Sequence, residues 1–203
     1  MLRAMTPEQA RDLRAEADAV SKGARALTAG MDSTSLMKRP PHGGWSVGEV
    51  LQHLILTADA MLPLAERAIV ELERNGKRAK SPAGLGVIGW MLFKSLEPPP
   101  RMKSKTTPSF EPVEVIDPLT LTDRFVETNA KLGGLIVRAS GMATTTVKVA
   151  SPFASRIHYN LYAALRIILA TPDLSGALKP RAKPTSSPLQ GKCGVNSDRS
   201  ETR

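Results

Sequence analysis

The chain of 203 residues has one cysteine, Cys193, so it cannot close an internal disulfide, and nothing in it asks for an oxidising compartment. Cys193 sits in a polar, aperiodic stretch with no neighbouring histidine to stabilise a thiolate, which argues against a catalytic thiol. Aromatics are only 4% of the residues, and the apolar positions are filled mainly by Leu, Ala, Ile, Val and Met, a composition that favours helices over a β-sandwich. Long apolar runs are also missing. The longest, residues 87–93, is interrupted by Gly89 and is too short to span a bilayer, and the opening MLRAMTPEQARDL has no leader-type apolar core. These absences predict a cytoplasmic protein with no membrane partner.

What the chain does have is positive charge, +9 in all, and it is unevenly placed. Residues 74–105 carry eight basic side chains against one acid, Glu97, and residues 172–203 carry six against three, which leaves the remainder close to neutral. The basicity therefore belongs to connecting and terminal segments. A dedicated nucleic-acid domain sets Lys and Arg on one face of a structured element, often beside stacking aromatics, and no such pattern is visible, so specific nucleic-acid binding is not expected. Nonspecific polyanion contact through residues 74–105 is the weaker reading of that charge.

Four helices can be read from the periodicity. Thr6-Pro7-Glu8-Gln9 supplies a cap, a first-turn proline and a capping-box partner, and Ala10, Leu13, Ala17, Val20, Ala24 and Leu27 follow at steps of three and four, ending near Gly30. A second helix is capped by Ser46, with Glu49 at the box position, and carries a stripe from Val47 to Leu72. Pro63 should kink it and Asn75-Gly76 should stop it. Residues 77–117 are irregular and proline-rich and read as a long crossover with one short helix at about 86–96. A third helix is expected over about 119–140, with Leu121, Phe125, Thr128, Leu132, Leu135 and Ala139 inward and Gly141 closing it. Residues 144–150 are β-branched but too short to imply a sheet. A fourth helix is expected to open at Ser151-Pro152 and carry Ile157, Leu161, Leu165 and Ile168 inward, stopping at Thr171-Pro172. The predicted fold is all-α, a four-helix bundle with a long crossover between helices two and three. It occupies residues 1–170, and residues 171–203 read as a basic, Pro/Ser-rich disordered tail.

Two stretches invite a chemical reading. GLGVIG, residues 84–89, matches the dinucleotide fingerprint letter for letter but lacks the preceding strand and βαβ setting, so it reads as an apolar cover segment. WSVGEVLQHL, residues 45–54, places His53 on the flank of the second helix, on the same edge as Glu49 and Thr57. A lone histidine there is ordinarily an exposed or capping residue. A catalytic metal generally needs three protein ligands, and the other histidines, His42 and His158, form no i, i+4 pair with it.

WSVGEVLQHL, the crossover with PPP and SFEP, and SPFASRIHYNLYAALRIILA, in that order, resemble the DinB-like family over roughly residues 5–170. The resemblance implies a four-helix bundle, a divalent metal such as zinc or nickel, and activity as a metal-dependent hydrolase or thiol transferase on a small-molecule substrate, with a homodimer open. In that family one histidine of the second helix and a His-x-x-x-His pair late in the fourth bind the metal. The first corresponds to His53, but the positions expected for the pair hold Thr171 and Ser175, whose hydroxyls are poor zinc ligands. This departure fits either a metal-free member or a C-terminus replaced after about Ala170, and the abrupt change of composition there favours replacement. The activity is accordingly expected to be impaired, the alternative being a non-catalytic bundle that binds a small molecule or a protein partner. A fourth helix cut short should also leave part of the bundle uncovered.

Overall fold

The structure, a computed structural model, describes residues 2–41, 43–76, 78–96, 107–113, 117–154 and 156–170. The tail expected over 171–203, with Cys193, Thr171 and Ser175, and also His42 and the PPP of the crossover, lie outside the described residues.

The described chain is mostly helical. In α1 (Pro7–Thr28) the Thr6 hydroxyl accepts the Gln9 N–H while the Gln9 side chain accepts the Thr6 N–H, so the predicted capping box closes. The Gln9 amide also ties the helix start to Ala83, accepting that residue's N–H and donating to its carbonyl. A short α2 (Ser33–Met37) is capped by Asp32. It packs on the start of α3 (Val47–Asn75) at Gly48, where a Cβ would lie 2.5 Å from the Met37 sulfur and 3.3 Å from the Leu36 carbonyl oxygen. A side chain there would have to displace the Met37 thioether and press on the Leu36 carbonyl. Helix α3 runs unbroken across Pro63 and ends on Gly76, whose φ of 60° is the left-handed closing conformation. Pro63 and Asp59 are both exposed, so the carbonyl that the proline leaves without its helical donor can turn to water.

The crossover holds β1 (Arg3–Ala4) against β2 (Ser81–Pro82), then α4 (Gly86–Leu96), whose bounds match the short helix expected there. Helix α5 (Leu121–Arg138) buries the predicted seam, including Leu121, Phe125 and Leu132. Two expectations fail in the next stretch. Residues 144–150 do contribute to a sheet: β3 (Lys148–Ala150) pairs antiparallel with β4 (His158–Asn160). The last helix, α6 (Leu161–Leu169), begins after that hairpin rather than at Ser151, its first turn capped by Asn160, which accepts the Ala163 N–H at 2.8 Å. Ser151 instead caps a turn inside the hairpin, its hydroxyl accepting the Phe153 N–H.

Ion pairs fix the helix directions. Arg25 near the end of α1 meets Asp123 at the start of α5, so these two run antiparallel. Arg138 at the end of α5 reaches Glu66 and Glu73 in the second half of α3, so α3 and α5 run together. Tyr162 and Arg166 of α6 meet Gln9 and Glu16 of α1 in the same order, so α6 runs with α1.

Two apolar clusters result. The larger joins the first half of α1, the second halves of α3 and α5, the hairpin and α6, with Leu13, Met61, Ile69, Leu132, Leu161 and Leu165 at its centre. The smaller draws on Ala24, Leu36, Val47, Leu51, Leu54, Ile55, Leu121 and Phe125, and α6 contributes nothing to it.

Candidate functional site

The first two turns of α3 bring together the residues singled out in WSVGEVLQHL. Ser46 and Glu49 form the capping box, with the Ser46 hydroxyl accepting the Glu49 N–H at 3.1 Å and the Glu49 carboxylate accepting the Ser46 N–H at 2.7 Å. The same carboxylate takes the Arg39 guanidinium, whose Nε is 3.0 Å from each oxygen and whose Nη2 also bonds Oε1. Glu49 is buried, and Arg39 first, then the Ser46 groups, outweigh the desolvation and hold its carboxyl below the usual glutamate range. Both of its oxygens are committed. Although it stands one turn before His53, Glu49 is a cap and an ion-pair partner, with no oxygen left to offer a metal.

His53 is half-buried, on the helix flank where the spacing puts it. Its Nδ1 is 2.8 Å from the carbonyl oxygen of Phe110, fifty-seven residues away in the short 3-10 turn Pro108–Phe110. A carbonyl can only accept, so Nδ1 carries the proton and, in the neutral ring, Nε2 carries the lone pair. Trp45 packs on the imidazole at 4.9 Å between centroids, tilted by 51°. Phe110 is buried and its ring meets Phe153 of the hairpin at 4.6 Å. His53 thus fastens the returning crossover onto the first half of α3. On either side of it along the helix, Gln52 Oε1 and Thr57 Oγ1 are buried without a hydrogen-bond partner.

His158 is placed elsewhere, exposed on β4 opposite Ala150, with its Nδ1 3.3 Å from the Arg156 carbonyl oxygen. Among the described residues no three His, Cys, Asp or Glu side chains come together as a metal cage would require. Among the described residues, the donors around His53 do not make up a three-ligand metal centre: one imidazole is there and the nearest carboxylate on its own helix edge is occupied. A depression of about 200 Å³ between α3 and β3, lined by Leu64, Arg67, Ala68, Glu71 and residues 147–150, is smaller than the usual ligand cavity of roughly 300–1,000 Å³.

The fingerprint-like GLGVIG is divided between a loop and α4. Gly86 opens the helix and Gly89 is buried against α6, where a Cβ would stand 2.5 Å from the Ala163 Cβ, so the glycine serves helix packing. Sequence reasoning missed both commitments that decide the site, the Phe110 carbonyl and Arg39. The first is a backbone atom and leaves no mark on the residue pattern.

Comparison with family models, with curated proteins and with solved structures finds no match to this chain.

Proposed function

We infer that the chain is a DinB-like four-helix bundle, built from α1, α3, α5 and α6 with the crossover between α3 and α5, in which the family's metal-dependent hydrolase or thiol-transferase activity is impaired. It is a cytoplasmic protein in this reading. The order of the three resembling segments supports the family, and so do helix directions in which α1 and α6 oppose α3 and α5. The observation that carries the loss of activity is the state of the residues around His53. Its i−4 neighbour Glu49 is taken by Arg39 and Ser46, and of the two further histidines in the sequence His158 lies away from it on β4.

A histidine bonded through Nδ1 to a backbone carbonyl is oriented as metal ligands usually are, with Nε2 outward. One such nitrogen binds a metal only weakly, because the remaining ligands would all be water. The non-catalytic alternative draws on the buried, unpartnered Gln52 Oε1 and Thr57 Oγ1, polar atoms that a bound molecule could satisfy.

Metal content after loading with Zn²⁺ or Ni²⁺ and dialysis, compared between the protein and His53→Ala, tests this. The expected result is metal far below stoichiometric in both. Near-stoichiometric metal in the protein that vanishes in His53→Ala would show that other groups complete the centre and would overturn the reading.

A further inference from the structure

Helix α4, GVIGWMLFKSL, is apolar on every side through its first eight residues, Gly86 to Phe93, yet only one side of them is covered. A helix of that kind is ordinarily enclosed by protein or immersed in lipid. Gly89 and Leu92 face the body of the protein, against Ala163 and the larger cluster, and the Phe93 ring lies 4.8 Å from the Arg166 guanidinium carbon. The opposite side holds Val87 at 83% exposure, Trp90 at 55% and Met91 at 58%, spaced i, i+3, i+4, with Ile88 at 44% on the flank. The next position of that stripe, i+7, is the exposed Lys94. Most exposed hydrophobic residues occur singly, and three on one helical face beside a fourth form a patch that calls for a partner.

The charge around the patch says which partner. Arg78 and Lys80 are exposed just before the helix, Lys94 is exposed in its last turn, and the Arg3 side chain approaches Gly84 at the helix entrance. Over residues 74–105 the sequence has eight basic side chains and one acid. A two-fold pairing of this face with a second copy would bring two such segments together and be opposed by their repulsion. A nucleic acid would meet the positive charge, but Val87, Ile88 and Met91 offer its bases no stacking surface, and Trp90 is the single ring on that face.

We propose that α4 is a peripheral membrane-binding helix that lies on an anionic lipid surface, with Val87, Trp90 and Met91 in the headgroup boundary and Arg78, Lys80 and Lys94 on the phosphates. Interfacial helices take this form, an apolar face in the boundary with basic residues beside it and tryptophan at headgroup depth. The shortness of the apolar run, which predicted no membrane partner, excludes a spanning helix only. A helix lying in the plane needs no such length. This inference stands independently of the reading of His53.

Sedimentation of the full chain with vesicles of phosphatidylcholine containing about 30% phosphatidylserine, and with pure phosphatidylcholine, tests it. The protein should pellet with the anionic vesicles only and be released by salt. The double variant Trp90→Ser, Met91→Ser should lower the partition coefficient by about tenfold or more while its circular dichroism stays unchanged, both side chains being exposed. In a Trp45→Phe background, leaving Trp90 as the sole tryptophan, emission should shift to the blue on anionic vesicles. The proposal is overturned if the chain ignores anionic vesicles, if the double variant binds them equally well, or if the patch instead drives self-association or retention of single-stranded DNA without lipid binding.

Discussion

The two halves of α3 are packed in different ways. Its second half, from Ala58 to Leu72, is enclosed by α1, α5, the β3–β4 hairpin and α6, and belongs to a cluster that includes Met61, Ala65 and Ile69 at 0% exposure. Its first half meets α1, α2 and the start of α5 but no residue of α6. That half is held by polar fastenings: the Ser46–Glu49 box, the Arg39 ion pair, and the His53–Phe110 bond. The described α6 spans nine residues beside a 29-residue α3, and among the described residues it joins the cluster of the second half. Where the partner helix is present, apolar burial contributes the stability. In the first half hydrogen bonds and an ion pair add to the apolar packing of Val47, Leu51, Leu54 and Ile55, each such bond worth about 1 kcal/mol net against about 2–5 kcal/mol for a buried leucine.

The largest expected effect tests that contrast directly. Leu165→Ala, in the middle of α6 and fully buried, should cost about 3–4 kcal/mol in denaturant unfolding, whereas Leu54→Ala, at 8% exposure in the smaller cluster, should cost about 2 kcal/mol. Equal losses would mean that the two halves of α3 are equally well covered. Gly89→Val comes next. Even a Cβ at this position would press into Ala163, so the branched side chain should force α4 off α6 and cost about 1–3 kcal/mol, read as a fall in midpoint and as new protease cleavage at α4. A variant as stable and as resistant as the parent would show that α4 is not seated against α6.

Ser46→Ala is expected to remove about 1 kcal/mol, the ordinary value of a helix cap. Its partner Glu49 adds a pH dependence of known sign. Because Arg39 chiefly, and Ser46 with it, hold the Glu49 carboxyl below its ordinary range, the stability they confer is fully present above the unfolded-state value of about 4.3 and is lost as pH falls through the depressed folded value. Glu49→Gln should therefore flatten the fall in stability below about pH 4 and leave its slope near neutrality unaltered. An unchanged acid limb would remove Glu49 from the account.

Much of the fold could be read from local signals. The boxes at Thr6 and Ser46, the stop at Gly76, the bounds of α4 and the seam of α5 are each set by residues within a turn or two of one another, and each is where the spacing puts it. The start of α6 differs from the expectation because Ser151-Pro152 has the form of a cap and first-turn proline, and Ile157 stands four residues before Leu161, so the helical period extends by coincidence back across β4. The hairpin was missed for the opposite reason, since three-residue strands carry little pattern and depend on each other. At the candidate site the helix-flank placement of His53 was legible. Its engagement was not, because the Phe110 carbonyl is remote in sequence and the Arg39 that occupies Glu49 arrives from a loop.

The smallest effect bears most closely on what His53 does. His53→Ala removes the bond to the Phe110 carbonyl and the packing against Trp45, and should cost about 1 kcal/mol, with faster proteolysis around residues 107–113 as the crossover is released. His53→Asn separates the two roles the imidazole could play. An asparagine amide can place its nitrogen near the position of Nδ1, donate to the same carbonyl and restore protease resistance, but it offers nothing comparable to the Nε2 lone pair. If His53 serves mainly to fasten the crossover, the asparagine variant should match the parent in stability and proteolysis and differ from the alanine variant. Loss of a function in both variants, with stability restored only in the asparagine one, would instead assign that function to Nε2 and return the first half of α3 to consideration as a metal site.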